Sequence, residues 1–571
     1  MDQGAGTRRL SDSGTQQSLS PAGGNGNGNG KSKGNGASVS LRRPVQAEAG
    51  ASAPAKSTPA GHWSAQGKRV HLIGMGGCGM CGAAAMLQRR GAKVSGSDRS
   101  DSAALQALAG MGVKVFVGQQ AANMPDSCDL VVCSAAIKES NPELQAARQH
   151  GFQVVKYSQL LGLLMCEHEG VAIAGTHGKS TTSAMASFVL REAGVDPSFV
   201  IGAGVEQLGG GSGAGGGKHF VVEACEYDRS FQNLRPRIAT ILNIEEDHLD
   251  YYRDLDEIVG SFRAFAELLP ADGLLVVNAD DRNAMRVAAG LNAEVQTFGF
   301  GDSADWHAKI IEVVRGRARF EASFRGRKVV DVSMGLPGRH NVANALACLA
   351  VCVRCGVAPE VAADAIGRFH GAQRRMTLMG QCAGVTVIDD YAHHPTEIQV
   401  TLKAAREFYA PRKMYVVFQP HQHSRTRFLL NDFARSFSAA DVVVVPDIYF
   451  VRDSESERDL VAATDLVNQI HRNGGEARYE PDFNRIVAML CGEVQENDLV
   501  VTMGAGNVWQ IADNLLACLE RRRGQDGSDM VITQRGLTVR PGDLPSESAA
   551  PVAPVGVDGV TKPLKGGSVA T

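Results

Sequence analysis

The chain has 571 residues, 44% of them hydrophobic and 21% charged, which exceeds one ordinary core and predicts several globular domains. A net charge of −3 offers no electrostatic footing for nucleic acid, and no apolar run approaches the ~20 residues of a membrane span. Arg8 and Arg9 have no apolar stretch behind them, which argues against a secretory signal, and twelve scattered cysteines read as reduced thiols of a cytoplasmic protein.

Residues 1–66 are mostly Gly, Ser, Asn, Ala and Pro, too poor in apolar area to offset the entropy of ordering, so a disordered tail is expected. The first folded segment, 67–165, opens with an apolar strand at Arg69 that runs into Gly74, Gly76, Gly77 and Gly79 ahead of an alanine-rich helix. Gly74, Gly76 and Gly79 have the G-x-G-x-x-G spacing of a Rossmann-type pyrophosphate turn. Asp98, at the end of the next strand, is placed to contact a ribose or a uracil edge.

The second segment, 166–366, holds a second phosphate loop. The apolar run from Val171 turns through Gly175, Thr176, His177 and Gly178 into Lys179, Ser180, Thr181 and a helix. Glycines let backbone N–H groups converge on phosphate, and the helix N-terminus adds partial positive charge. Lys179 would hold terminal phosphates as a point charge and Ser180 would face Mg²⁺, although Ile173 stands where the full motif has its first glycine. Glu223 ends a following apolar strand, the usual place for a metal ligand. Another strand delivers Glu245, Glu246, Asp247, His248 and Asp250 to the same edge, acids that repel unless a cation or exposure relieves them. Residues 308–334 alternate like a β-hairpin. His340, Asn341 and Asn344 then open an alanine-rich helix, offering edge donors and acceptors to a purine or simply capping and packing.

The third segment, 367–522, carries Arg374 and Arg375, then a strand leading to Asp390, His393 and His394, and a further strand leading to His421 and Arg425. Two strand ends followed by histidines and charges mark the rim of a parallel sheet. From 523 to 571 the composition again predicts disorder, with Met530–Thr533 as a possible short docking strand.

Taken together, Gly74–Met80, Gly175–Thr182, Asn243–Asp250, His340-Asn341, Asp389–Thr396 and Gln419–His421 resemble the Mur ligase family in its own order. The likeness is greatest to its alanine-adding branch and runs over about residues 69–520. It implies a Rossmann-like domain for a UDP-sugar, a P-loop ATPase-like domain and a Rossmann-like domain for the amino acid. It also implies a reaction: ATP phosphorylates the lactyl carboxylate of UDP-N-acetylmuramate, and the amine of L-alanine displaces phosphate, in peptidoglycan precursor synthesis.

By resemblance, Gly74, Gly76, Gly77, Gly79 and Asp98 would bind the UDP-sugar. Gly175–Thr181 with His340, Asn341 and Asn344 would bind ATP, and Ser180, Glu223 and His248 would hold Mg²⁺. Lys179, Glu223, His248, Arg375 and Asp390 would be catalytic, with Arg374 as the alternative to Arg375. His393, His394, His421 and Arg425 would receive the amino acid, Arg425 pairing with its carboxylate. Three departures stand out: Met376 for a usual Phe, Gln422-His423 for a usual Arg-Tyr, and no lysine between Lys218 and Lys309. The last removes any candidate for the metal-bridging lysine of the later-acting ligases. A tripeptide-recycling ligase is the nearest rival, but it usually breaks the first glycine turn, which is intact here. A nicotinamide dehydrogenase leaves the second phosphate loop unexplained, and a non-catalytic nucleotide switch has no need of an amino-acid site.

Overall fold

The computed structural model describes residues 63–526 together with 532–533 and 536–537. The expected tails otherwise lie outside the described residues. Order begins earlier than residue 67: Ala65 is fully buried, and Trp63 packs on the first core. It also extends past 522, in the helix Trp509–Asp526. The expected docking strand is present as Ile532–Thr533, which pairs antiparallel with Thr377–Cys382.

Three α/β sheets follow one another along the chain. The first has five parallel strands in the order Lys114–Val117, Lys93–Asp98, Arg69–Ile73, Leu130–Cys133, Val154–Lys156. The chain reverses its winding between Arg69–Ile73 and Leu130–Cys133, which opens a crevice beside the glycine turn. Gly79 is needed there for space, since a Cβ would stand 2.3 Å from the Tyr157 hydroxyl.

The second sheet has ten strands, with the phosphate-loop strand Glu169–Ala174 running between His219–Glu223 and Ile238–Ile241. Val171-Ala-Ile-Ala is fully buried, as expected of a strand covered on both faces. The helix Lys179–Glu192 packs against Arg339–Arg354 through small residues such as Ala184, Ala186, Ala347 and Ala350, which let the two backbones approach closely. Residues 308–334, expected as a hairpin, belong to a three-stranded antiparallel meander, Trp306–Val314, Arg317–Phe324 and Arg327–Ser333. Turns at Arg315-Gly316 and Arg325-Gly326 reverse the chain twice, both with positive φ.

In the third sheet, Leu499–Met503 lies between Val385–Asp390 and Met414–Phe418, parallel to both. Met503 is level with Asp390 on one side and with Phe418 on the other, so the two histidine-bearing loops leave from the same edge. No helix among the described residues is long and apolar enough to cross a membrane.

Candidate active site

In the second sheet Ile173 pairs with Glu223 and Ala174 with Ile241, so three strand ends meet at the phosphate loop. Gly178 has φ +83°, and a Cβ there would stand 2.7 Å from Asn344 Oδ1, so this position requires glycine on both counts. The loop is pinned by its neighbour strand: the Thr176 N–H donates to the Asn243 carbonyl and the His177 N–H to Asn243 Oδ1. Lys179 Nζ donates to the carbonyls of Gly175 (2.6 Å) and Thr176 (2.9 Å) and to Glu226 Oε1 (2.9 Å). Burial alone would lower the Lys179 pKa, but the Glu226 charge outweighs it and the group stays an ammonium. Glu226 was not among the residues expected from sequence. It lies one turn beyond Glu223, fully enclosed, and burial raises its own pKa.

Ser180 Oγ donates to Glu223 Oε1 at 2.9 Å, and the Gly202 N–H donates to Glu223 Oε2 at 2.6 Å. A hydroxyl beside a carboxylate at a phosphate loop suits a hard, oxygen-seeking cation such as Mg²⁺. His248, with φ +53°, is pushed down to about 4 chiefly by burial, so at neutral pH its ring carries the lone pair a metal ligand needs. Its Nδ1 and the Oε2 of Glu226 are buried atoms without a hydrogen-bond partner among the described residues. The residues present therefore fit a cation at this edge.

A cavity of about 910 Å³ opens beside the loop, lined by His177, Gly178 and Thr181 together with His340, Asn341, Asn344, Arg375 and Asp390. Asn341 Nδ2 donates to the Pro337 carbonyl, and Asn344 Nδ2 to Asn341 Oδ1, which fixes the amides that face the cavity. Burial lowers His340 to about 4, so it is a neutral imidazole. Asp390 lines the cavity while both of its oxygens are held by backbone: Oδ2 accepts from the Met376 N–H and Oδ1 from the Ala392 N–H, both at 2.7 Å. It builds the turn in which Arg374 and Met376 both take positive φ, and burial raises it to about 6. The arginine pair divides clearly. Arg374 is spent on Asp389 and on the carbonyls of Gly504 and Gly506, while Arg375 lines the cavity, 3.9 Å from Glu397.

The acidic turn after Ile238–Ile241 is relieved by groups from the third sheet. Thr396 Oγ1 donates to Glu245 Oε2 at 2.6 Å, His394 Nε2 to the Glu246 carbonyl at 3.1 Å, and Arg425 to Asp247 Oδ1 from Nη2 (2.8 Å) and Nε (3.1 Å). Since the Thr396 N–H donates to His394 Nδ1, His394 holds the Nε2–H tautomer. His177 sits between Glu245 (3.3 Å) and Glu397 (3.2 Å). His177, Glu245 and His394 also bring three donor atoms within 4.8 Å, a spacing a metal could use. The charges there already match without one: burial would lower His177, but the two carboxylates raise it to about 9, and His177 in turn holds Glu245 down at about 2 against burial.

A pH dependence follows. The His177 contribution is full below its ordinary pKa of 6.5 and is lost as pH rises through about 9. The Glu245 contribution is full above 4.5 and lost only towards 2. Stability against heat is therefore expected to fall by on the order of 3 kcal/mol between pH 6.5 and 9.5 in wild type and by less in Glu397→Gln, which keeps Glu245. Equal melting curves for both proteins across that range would refute the pairing.

The remaining expected positions are placed as follows. His393 Nδ1 lies 3.3 Å from Glu397 and 3.1 Å from the Tyr391 carbonyl, and its ring meets that of His421 edge-on at 6.2 Å. His421 stacks on Tyr449, and burial first, then His393 and Arg425, push it down to about 3. Gln422 is buried, with φ +69°, and the His423 N–H is held by Asp453, so neither replaces the missing Arg-Tyr pair as a free cation or phenol. At the first glycine turn, Asp98 Oδ2 accepts from the Gly76 N–H and Oδ1 from the Arg99 N–H, both at 2.7 Å. Asp98 thus braces the turn formed by Gly74, Gly76, Gly77 and Gly79.

Three family models match in succession: the Mur ligase family catalytic domain over residues 69–169, the Mur ligase middle domain over 173–352, and the Mur ligase glutamate ligase domain over 374–506. The UDP-N-acetylmuramate–L-alanine ligase of Caldanaerobacter subterraneus subsp. tengcongensis is 42% identical over 451 residues, 79% of this chain and 97% of the relative. The chain belongs to the Mur ligase family. The enzyme of the same name from Clostridium novyi is 41% identical over 79% of this chain and 97% of its own length. Among solved structures, a UDP-N-acetylmuramate–alanine ligase from Thermotoga maritima matches with a TM-score of 0.65 at 26% identity, covering 80% of this chain and all of that one. A murein peptide ligase from Psychrobacter arcticus matches at 0.60 and 27%, covering 79% and 99%. Within this Mur ligase, Glu226, Glu245, Asp247, Thr396 and Glu397 are the site-edge residues that sequence reasoning left unassigned. The crowding of like charges at 245–250 signals Glu245 and Asp247, and Thr396 closes the stretch Asp389–Thr396, whereas Glu226 and Glu397 carry no such mark.

Proposed function

We propose that this Mur ligase joins L-alanine to the lactyl carboxylate of UDP-N-acetylmuramate at the expense of ATP, in peptidoglycan precursor synthesis. The observation that carries the reading is one cavity bordered both by the phosphate loop, at His177, Gly178 and Thr181, and by a guanidinium, Arg375, in a chain about 40% identical to relatives that bear this enzyme's name. The first step moves the γ-phosphoryl group from ATP to the lactyl carboxylate oxygen, leaving ADP and an acyl phosphate. Lys179 and Arg375 are set to neutralise charge on the transferring group, where positioning and electrostatics supply most of the rate. Ser180, Glu223 and His248 are the residues that would hold Mg²⁺, whose chemistry is to screen phosphate charge. In the second step the alanine amine forms the amide bond and inorganic phosphate leaves. His340, Asn341 and Asn344 suit the adenine end, and Arg425 suits the amino-acid carboxylate. With ATP as co-substrate the reaction belongs to the cytoplasm.

The deciding assay is phosphate release from ATP and Mg²⁺ with UDP-N-acetylmuramate and candidate amines. Release that requires both the sugar nucleotide and L-alanine is expected. Release only when a tripeptide replaces alanine would move the activity to recycling, and no release with any combination would refute the ligase.

A further inference from the structure

If Arg425 is the cation that receives the amino-acid carboxylate, Asp247 is the group that already occupies it. The Asp247 and Arg425 side chains are 8% and 7% exposed, and they come from different sheets. Their pairing is lopsided. Arg425 Nη2 and Nε both donate to the same oxygen, Oδ1, at 2.8 and 3.1 Å, and that oxygen also accepts from the His248 N–H at 2.7 Å. The other oxygen, Oδ2, lies 3.7 Å from His248 Nε2. Arg425 Nη1 meets no carboxylate and lies 3.4 Å from His421 Nδ1.

A guanidinium pairs best with a carboxylate that offers both oxygens to two parallel N–H groups. Asp247 supplies one. The α-carboxylate of a small amino acid can supply two, so it makes the stronger pair on the same fork, and Asp247 Oδ2 already points a displaced carboxylate towards His248. The backbone holds this turn in a costly shape: His248 has φ +53°, and its carbonyl is fixed by the N–H groups of Tyr251 and Tyr252, each at 2.8 Å. Strain of that kind persists where a side chain has to be aimed. From this turn Asp247 reaches Arg425, while His248 Nε2 lies 3.7 Å from Glu226 Oε1, beside Lys179, and 3.7 Å from Asp247 Oδ2.

We propose that Asp247 is a positioning residue of the amino-acid site: it pre-aligns the Arg425 fork and yields it to the substrate carboxylate, against which it competes. This role has a signature that a merely structural residue lacks. Asp247→Asn keeps the shape and one acceptor but removes the competing charge, so it is expected to bind L-alanine about tenfold more tightly than wild type. Turnover is expected to fall in the same variant, because the fork is no longer pre-aligned, so KM and kcat decrease together.

The experiment measures radiolabelled L-alanine binding to the full-length protein with UDP-N-acetylmuramate and β,γ-methylene ATP present. It compares wild type, Asp247→Asn, Asp247→Ser and Arg425→Lys. Asp247→Ser, also uncharged, keeps the test open if the asparagine variant folds poorly. Tighter alanine binding in an Asp247 variant, with weaker binding in Arg425→Lys, is the expected result. Unchanged or weaker binding in both Asp247 variants, with Arg425→Lys still weakened, overturns the competition and leaves the Arg425 assignment standing. Unchanged binding in Arg425→Lys removes the assignment itself.

Discussion

Replacing Lys179 with alanine is expected to lower turnover at least ~10³-fold while the fold survives, because the lysine acts mainly on charge that develops as the phosphoryl group moves. Its surroundings sharpen the test. Lys179 is the direct partner of the enclosed Glu226, and removing one member of a buried ion pair costs about 3–5 kcal/mol when the other stays charged. Burial already raises the pKa of Glu226, so the orphaned carboxylate can take up a proton and the cost is partly avoided. The double variant Lys179→Ala, Glu226→Gln is therefore expected to recover thermal stability without recovering phosphate release. Near-wild-type turnover in Lys179→Ala would remove the phosphate loop from the chemistry.

The strand ends of this molecule are legible in the sequence because a strand buried on both faces reads as an unbroken apolar run, and the polar group that follows marks its exposed end. Glu223 after His-Phe-Val-Val and Asp390 after Val-Thr-Val-Ile-Asp are found that way, as is the glycine turn after Arg69–Ile73. Partners drawn from another sheet leave no such mark. The crowding of acids at 245–250 calls for a cation or for exposure, and both occur, since Glu246 and Asp250 are exposed and Asp247 meets Arg425, but Arg425 lies 178 residues from Asp247 and Glu397 lies 220 from His177, and no local pattern pairs them. Asp98 and Asp390 illustrate a second limit. Each is an acid at a strand end beside a glycine or cavity loop, and each has both oxygens on backbone N–H groups, Asp98 on Gly76 and its neighbour Arg99, Asp390 on Met376 and Ala392. Spacing alone does not separate an acid that touches substrate from one that shapes the turn. Glu226 follows Glu223 by three residues, beyond the end of the strand, where no apolar run points to it.

The adjacent arginines provide the second large effect, and here geometry decides what spacing leaves open. Arg374 and Arg375 have equal claims as residues in sequence, yet Arg374 donates to Asp389 Oδ2 at 2.8 Å and to the carbonyls of Gly504 and Gly506, which ties the 374–376 turn to the end of Leu499–Met503. Arg375 instead borders the cavity that the phosphate loop also lines, with Glu397 at 3.9 Å. An arginine brought from another domain to a transferring phosphoryl group is worth about 10³–10⁵-fold in turnover. Arg375→Ala is accordingly expected to lose at least ~10³-fold in kcat with a melting temperature close to wild type. Arg374→Ala is expected to behave in the opposite way, losing stability through the unpaired, fully enclosed Asp389 by about 3–5 kcal/mol, with a smaller loss of turnover in the folded fraction. Single-turnover formation of the acyl phosphate, read beside thermal melts of both variants, separates the two roles. Should Arg374→Ala abolish phosphoryl transfer while Arg375→Ala keeps it, the cavity-facing side chain is not the one that meets the phosphate. The turn held by Asp390 would then have to rearrange to deliver its neighbour.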